Sequence, residues 1–255
     1  MRGKVKFTKA KLITLIVILC VAVIIATGGT LAYFTDSKEM TSVYTSGNVY
    51  IELTESAVKA DASGNLVKDE EKPRIVGGSL DGATVNDYGV VFPGQTIYKD
   101  PTIKNVGLGK AWIAAKVIVT DGAGDLHKLF GYSEGDDIDI TCFLDGGLLA
   151  ESKHVKEWNG IENVCVGDDF AMAQVADRGN GRYEFFFFML EEVDSDESVV
   201  LFDTMFIDPY LSGTDMLEFI QLTITVQAFA VQTFGFSDCY LAMRGAFEEH
   251  FEKCE

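Results

Sequence analysis

A chain of 255 residues that is 47% hydrophobic carries enough apolar side chain for one large core or two modest ones, which excludes global disorder. Its charge is divided: residues 1–32 hold five basic side chains and no acid, whereas the 16 basic and 39 acidic side chains of residues 33–255 give a net −23. Such a surface repels phosphate backbones, which are bound by clustered Lys and Arg that displace counterions, so nucleic-acid binding is excluded as a function class.

The first element in the chain is an export signal. Arg2, Lys4, Lys6, Lys9 and Lys11 precede an apolar run over 12–26 that is broken only by Thr14. A permanent membrane span takes about 18 to 20 residues, and this run has 15 unless "TGGTLAYF" extends it, so an uncleaved anchor stays open as the alternative. Thr30 and Ala32 supply the small-x-small pattern of a cleavage site, which places the cut before Tyr33. The chain then divides into a signal over 1–32, an N-terminal assembly segment over 33–48 and one domain over 49–255.

The segment that cleavage frees, "YFTDSKEMTSVY", is rich in aromatic and β-branched residues, with Tyr33, Phe34, Thr35, Val43 and Tyr44 as its strand-forming members. It has no proline and too few apolar residues to organise a core, so it needs a sheet edge. That edge belongs either to a neighbouring subunit or to its own sheet.

From residue 49 onward the hydrophobic period is two. Val49, Ile51 and Leu53 alternate with Tyr50, Glu52 and Thr54; Ala111, Ile113, Ala115, Val117 and Val119 alternate with Trp112, Lys116 and Ile118; Leu222, Ile224, Val226, Ala228 and Ala230 alternate with Thr223, Thr225, Gln227 and Phe229. "RYEFFFFML" at 182–190 is aromatic on both faces, which predicts a central strand covered on both sides or a strand at an interface. Turn-forming stretches such as "ADASGN", "GGSLDG" and "DGAGD" separate these runs, and many short strands so punctuated predict an antiparallel sandwich. An Asp/Gly-rich insertion is expected around 121–181, with a helix over 150–164. A second helix, capped by Ser237 or Asp238, is expected over 238–252, with Tyr240, Met243, Phe247 and Phe251 packed on a sheet.

Four cysteines lie beyond the signal: Cys142, Cys165, Cys239 and Cys254. In an exported chain they allow up to two disulfides in three connectivities. One unbroken helix over 238–252 would hold Cys239 and Cys254 about 22 Å apart, so Cys142 with Cys165 is the candidate bridge only if the other two stay reduced or pair between chains. No CxxC pair is present for zinc. Of the three histidines, His127, His154 and His250, none falls in an H-E-x-x-H pattern, so no catalytic or metal-ligating residue is assigned and the chain is read as a non-enzyme. No cofactor is expected beyond calcium, for which the acidic stretches "GDDIDI", "VDSDES" and "DPYLSGTD" supply oxygen ligands without the twelve-residue loop spacing.

"GGTLAYFTDSKEMTSVYTSGNVYIELTE", with "FPGQTIYKDPTIKNVGLGKAWIAAKVIV", "VVLFDTMFI" and "ITVQAFAVQTFGFSDCYLAMRGAF" following in order, resembles the TasA and camelysin family of exported matrix proteins. The resemblance brackets most of the chain and leaves the middle, 121–181, without a counterpart. It implies an all-β, antiparallel, jelly-roll-like sandwich with one or two peripheral helices. It also implies cleavage by an ER-type signal peptidase, membrane contact only before that cleavage, and secretion to the extracellular matrix or cell surface of a Gram-positive-type bacterium. The implied function is a subunit of biofilm-matrix fibres, built with itself or related subunits, whose N-terminal strand adds to a neighbour. The alternatives are a camelysin-type secreted metalloprotease and a calcium-dependent surface adhesin.

Overall fold

The structure is a computed structural model that describes residues 35–39, 49–77, 88, 91–120, 143–149, 152–175, 182–211 and 222–251. Its largest sheet is built from β1 (Thr35–Glu39), β8 (Ala111–Thr120), β10 (Lys153–Trp158), β11 (Ile161–Val166), β12 (Phe170–Val175), β13 (Arg182–Met189) and β16 (Thr223–Gln232). These seven strands lie in the order β1-β16-β8-β13-β12-β11-β10. A four-stranded sheet orders β14 (Ser198–Val200), β7 (Thr102–Asn105), β2 (Ile51–Glu55) and β5 (Ile75–Val76). A five-stranded sheet orders β3 (Val58–Ala60), β4 (Leu66–Lys68), β6 (Thr96–Tyr98), β15 (Thr204–Phe206) and β9 (Leu144–Asp145). The described strands pair antiparallel except where β4 meets β6. The fold is an all-β sandwich, as the period-two pattern requires.

Alternation along the long strands decides what each face meets. Ile113, Ala115, Val117 and Val119 of β8, Phe185 and Phe187 of β13, and Val226, Ala228 and Ala230 of β16 point into the core between the large sheet and the two smaller ones. There they meet Ile51, Leu53, Ile97, Ile103, Phe202 and Met205. The intervening residues Trp112, Ala114, Phe186, Phe188, Phe229 and Val231 face the other way, onto a second core closed by helices. The four consecutive phenylalanines 185–188 are therefore fully buried on alternate sides of one central strand.

The helical cover is α1 (Cys239–Ala246) and α2 (Glu248–Phe251), two helices in place of the single one expected over 238–252. Asp238 caps the first, its Oδ1 accepting from Leu241 N at 2.9 Å, and Phe247 ends it at φ −133° and ψ 45°. The break turns Phe251 into the aromatic cluster, 5.2 Å from Phe186 and 5.0 Å from Phe229 between ring centroids. Tyr240, Met243, Phe247 and Phe251 are buried, so the expected stripe packs on the sheet although the helix is split.

The helix expected over 150–164 is instead a hairpin. β10 and β11 pair from Lys153↔Val166 to Trp158↔Ile161 and are joined by Asn159 at φ 49° and Gly160 at φ 83°. An Asn-Gly pair takes up these left-handed angles at low cost and matches the twist of the flanking strands, and tertiary pairing with β12 then overrides the helix-forming composition. The C-terminal half of the 121–181 region thus extends the main sheet, ending on β10 as the edge opposite β1.

Candidate functional site

β1 lies along the outer side of β16, with Thr35 opposite Val231, Asp36 opposite Ala230, Ser37 opposite Phe229, Lys38 opposite Ala228 and Glu39 opposite Gln227. β16 in turn pairs along its whole length with β8, and its alternate residues feed both cores. This side of the large sheet therefore ends in a five-residue polar strand that, among the described residues, is held to its sheet at a single edge. Three of those five residues are charged, in keeping with an edge position, where charge discourages uncontrolled pairing. The five residues fall in the first half of the expected assembly segment, 33–48. Tyr33, Phe34, Val43 and Tyr44, and the cleavage-site residues Thr30 and Ala32, lie outside the described residues.

Opposite the large sheet, two ion pairs tie the small sheets together, while buried Asp69 pairs with Lys59 and Lys72, and Lys116 and Glu184 place a further buried pair on the large sheet itself. Lys99 Nζ donates to Glu55 Oε2 at 2.7 Å, with both side chains about 5% exposed or less, and the Tyr88 hydroxyl donates to the same carboxylate. Arg74 spreads its guanidinium over Asp100 Oδ2 at 2.6 Å, Ser56 Oγ at 2.8 Å, Thr54 Oγ1 at 2.9 Å and Thr102 Oγ1 at 2.7 Å. Asp100 also accepts from Ser56 N at 2.7 Å and Oγ at 2.9 Å. Burial by itself would raise the Asp100 carboxyl, but hydrogen bonds from Arg74 and Ser56 outweigh it and hold the group below the usual carboxylate range. The Tyr98 hydroxyl is pushed up to about 12, first by burial and then by the Asp100 charge it bonds to. Asn105, buried, closes the next turn by donating to Gly109 O and Val193 O, each at 2.9 Å, and accepting from Gly107 N. The "YKDP" and "KN" portions of the family-like stretch thus hold sheets and turns together. No spacing in the sequence announces that Lys99 and Asp100 are buried.

The other candidate residues are dispersed. His154 on β10 faces Cys165 on β11, Nδ1 to Sγ 3.4 Å, while Cys142 and His127 lie outside the described residues. His250 packs its ring against Phe229 at 5.2 Å and approaches Glu249 Oε1 at 3.5 Å. Cys239 is buried at the start of α1, where its thiol donates to Ile113 O at 3.1 Å, and burial raises it far above the ordinary thiol range. Of the acidic stretches, "VDSDES" is described throughout. Its Asp194 and Asp196 pair with Lys110 at 3.3 Å and Lys104 at 3.1 Å, which gives those carboxylates protein cations as partners. Of "DPYLSGTD", residues 208–211 are described, and Asp208 Oδ1 accepts from Tyr210 N at 2.8 Å; "GDDIDI" lies outside the described residues. Among the described residues no group of three or more His, Cys, Asp or Glu side chains is placed to hold a metal ion.

Compared with known proteins, the chain matches no family model, no curated sequence and no solved structure.

Proposed function

We propose that this chain is a secreted structural subunit of extracellular matrix fibres, assembled by passing its N-terminal strand to the β16 edge of a neighbouring copy, on a jelly-roll-like sandwich. The observation that supports the reading is the position of β1: an edge strand that begins two residues after the proposed cleavage point and, among the described residues, is paired on one side only. In exchange, the pairing that β1 makes with its own β16 is remade with the β16 of the next chain. The same hydrogen bonds form between chains as within one, so the pairing itself is close to neutral, as in other swaps of an identical element. Each main-chain hydrogen bond of the pair, about 0.5–1.5 kcal/mol net, is broken within one chain and remade between two, which leaves the ordering of the linking residues, about 1–2 kcal/mol apiece, as the opposing cost. Affinity per link is therefore modest, and assembly needs concentration.

The test compares the chain starting at Tyr33 with one starting at Thr45. Circular dichroism should show a folded sandwich in both, and electron microscopy and light scattering should show polymers only in the longer. Polymers formed equally well by the shorter chain would refute strand exchange. A Thr35→Cys, Val231→Cys variant adds a direct readout, because these residues are register partners. Oxidation of assembled material should give a covalent ladder, whereas monomers cross-linked only within themselves would place β1 on its own sheet even in the polymer.

A further inference from the structure

The end of the large sheet where β1 starts carries an exposed apolar cluster. β8 begins at Ala111 opposite Gln232, the last residue of β16. Leu108, three residues before that point, is 84% exposed, and Phe234, two residues after it, is 86% exposed. Val106 and Leu241, at 42% and 50%, belong to the same loop and to α1 just beyond it. Four large apolar side chains in contact with water thus gather around one sheet end, and exposed apolar surface gathered in this way is where interaction surfaces form.

The occupant follows from where the chain enters. Thr35 lies opposite Val231, and β1 runs antiparallel to β16, away from this end. The apolar run over 12–26 is joined to β1 by residues 27–34 only. Eight residues reach about 26–29 Å when fully extended, so a run inserted in a bilayer tethers this end of the sandwich within that distance of the lipid. We propose that, in the uncleaved chain, the Leu108–Phe234 end rests on the membrane surface and holds the 32–33 junction at the interface. The partner is a lipid bilayer whose contact is apolar and not electrostatic. The neighbouring turn carries Glu191, Glu192, Asp194, Asp196 and Glu197 against Lys104 and Lys110, and it is fixed to the cluster's loop by Ser195 Oγ donating to Gly107 O at 2.5 Å. An anionic surface is therefore disfavoured relative to a zwitterionic one at low salt.

The test uses the full chain reconstituted in phosphatidylcholine vesicles, in a background with Cys20, Cys142 and Cys254 changed to Ser. An environment-sensitive dye is attached at Ser237→Cys, exposed beside the cluster, or at Tyr210→Cys, exposed next to the Pro209 that packs by Gly94, away from it. Brominated acyl chains should quench the dye at 237 several-fold more than the dye at 210. Adding Leu108→Ser with Phe234→Ser should remove the difference while circular dichroism stays unchanged, since both side chains are largely in water. Equal quenching at the two positions, or stronger quenching on phosphatidylglycerol than on phosphatidylcholine, overturns the proposal. Shielding of the 237 dye without vesicles, growing with protein concentration, also overturns it, because a second copy then covers the cluster. The vesicle assay uses the uncleaved chain and the fibre assay the cleaved one, so the two readings fail independently.

Discussion

Lys99 is the residue at which sequence and environment disagree most, since an ammonium about 5% exposed has left water for one carboxylate and one phenol. Removing one partner of such a pair leaves the other charge buried, at a cost of about 3–5 kcal/mol. Lys99→Met is expected to lose that much in urea denaturation, and Lys99→Met with Glu55→Leu to recover most of it; a loss below about 1 kcal/mol in the single variant would mean that water reaches the pair. Asp100 has a pH consequence. Its folded-state carboxyl is held below the ordinary aspartate value, so its contribution is complete above that value and is lost as pH falls through the lowered one. Thermal unfolding monitored from neutral pH to below about pH 4, the ordinary aspartate range, should show a stability drop that is smaller in Asp100→Asn, whose amide does not titrate.

At the scale of elements, two short signals carry large structural decisions. The Asn159-Gly160 turn creates the β10–β11 hairpin and so sets the width of the main sheet. Gly160 has open space around its Cα, so Gly160→Ala tests backbone strain alone and is expected to cost about 1 kcal/mol in chemical denaturation. Asp238 starts α1 and with it the cover over Phe186, Phe188 and Phe229. Asp238→Ala should cost about 1 kcal/mol, visible as an earlier denaturation midpoint with an unchanged slope. If it costs nothing, α1 is held by its buried face, Tyr240 and Met243, and not by its cap.

For the whole molecule, the net charge of −23 over residues 33–255 opposes any close approach of two copies. The Debye length falls from about 30 Å at 0.01 M salt to about 10 Å at 0.1 M, so raising salt through that range should speed light-scattering growth of the chain starting at Tyr33. A rate indifferent to salt would mean that assembly surfaces lie away from the acidic field. Because β1 is already paired within the chain, exchange also requires opening of that edge, and growth should show a lag that shortens with temperature.

Hydrophobic spacing determined the sandwich by itself. Period-two runs at 111–119 and 222–230 can bury their apolar residues only as strands, and "FFFF" can bury all four rings only on a strand covered twice, because successive side chains point to opposite faces. The Asp238 cap and the aromatic stripe were legible for the same local reason. What the tertiary structure alone decided is non-local. Lys99 and Asp100 look like surface residues until Glu55 and Arg74, each more than twenty residues away, arrive to neutralise them. The 150–164 stretch is helix-like in composition until β12 offers an edge. And whether a polar segment such as 35–39 is a strand at all depends on β16 being there to pair with it, since its backbone donors and acceptors have no partners within so short a segment.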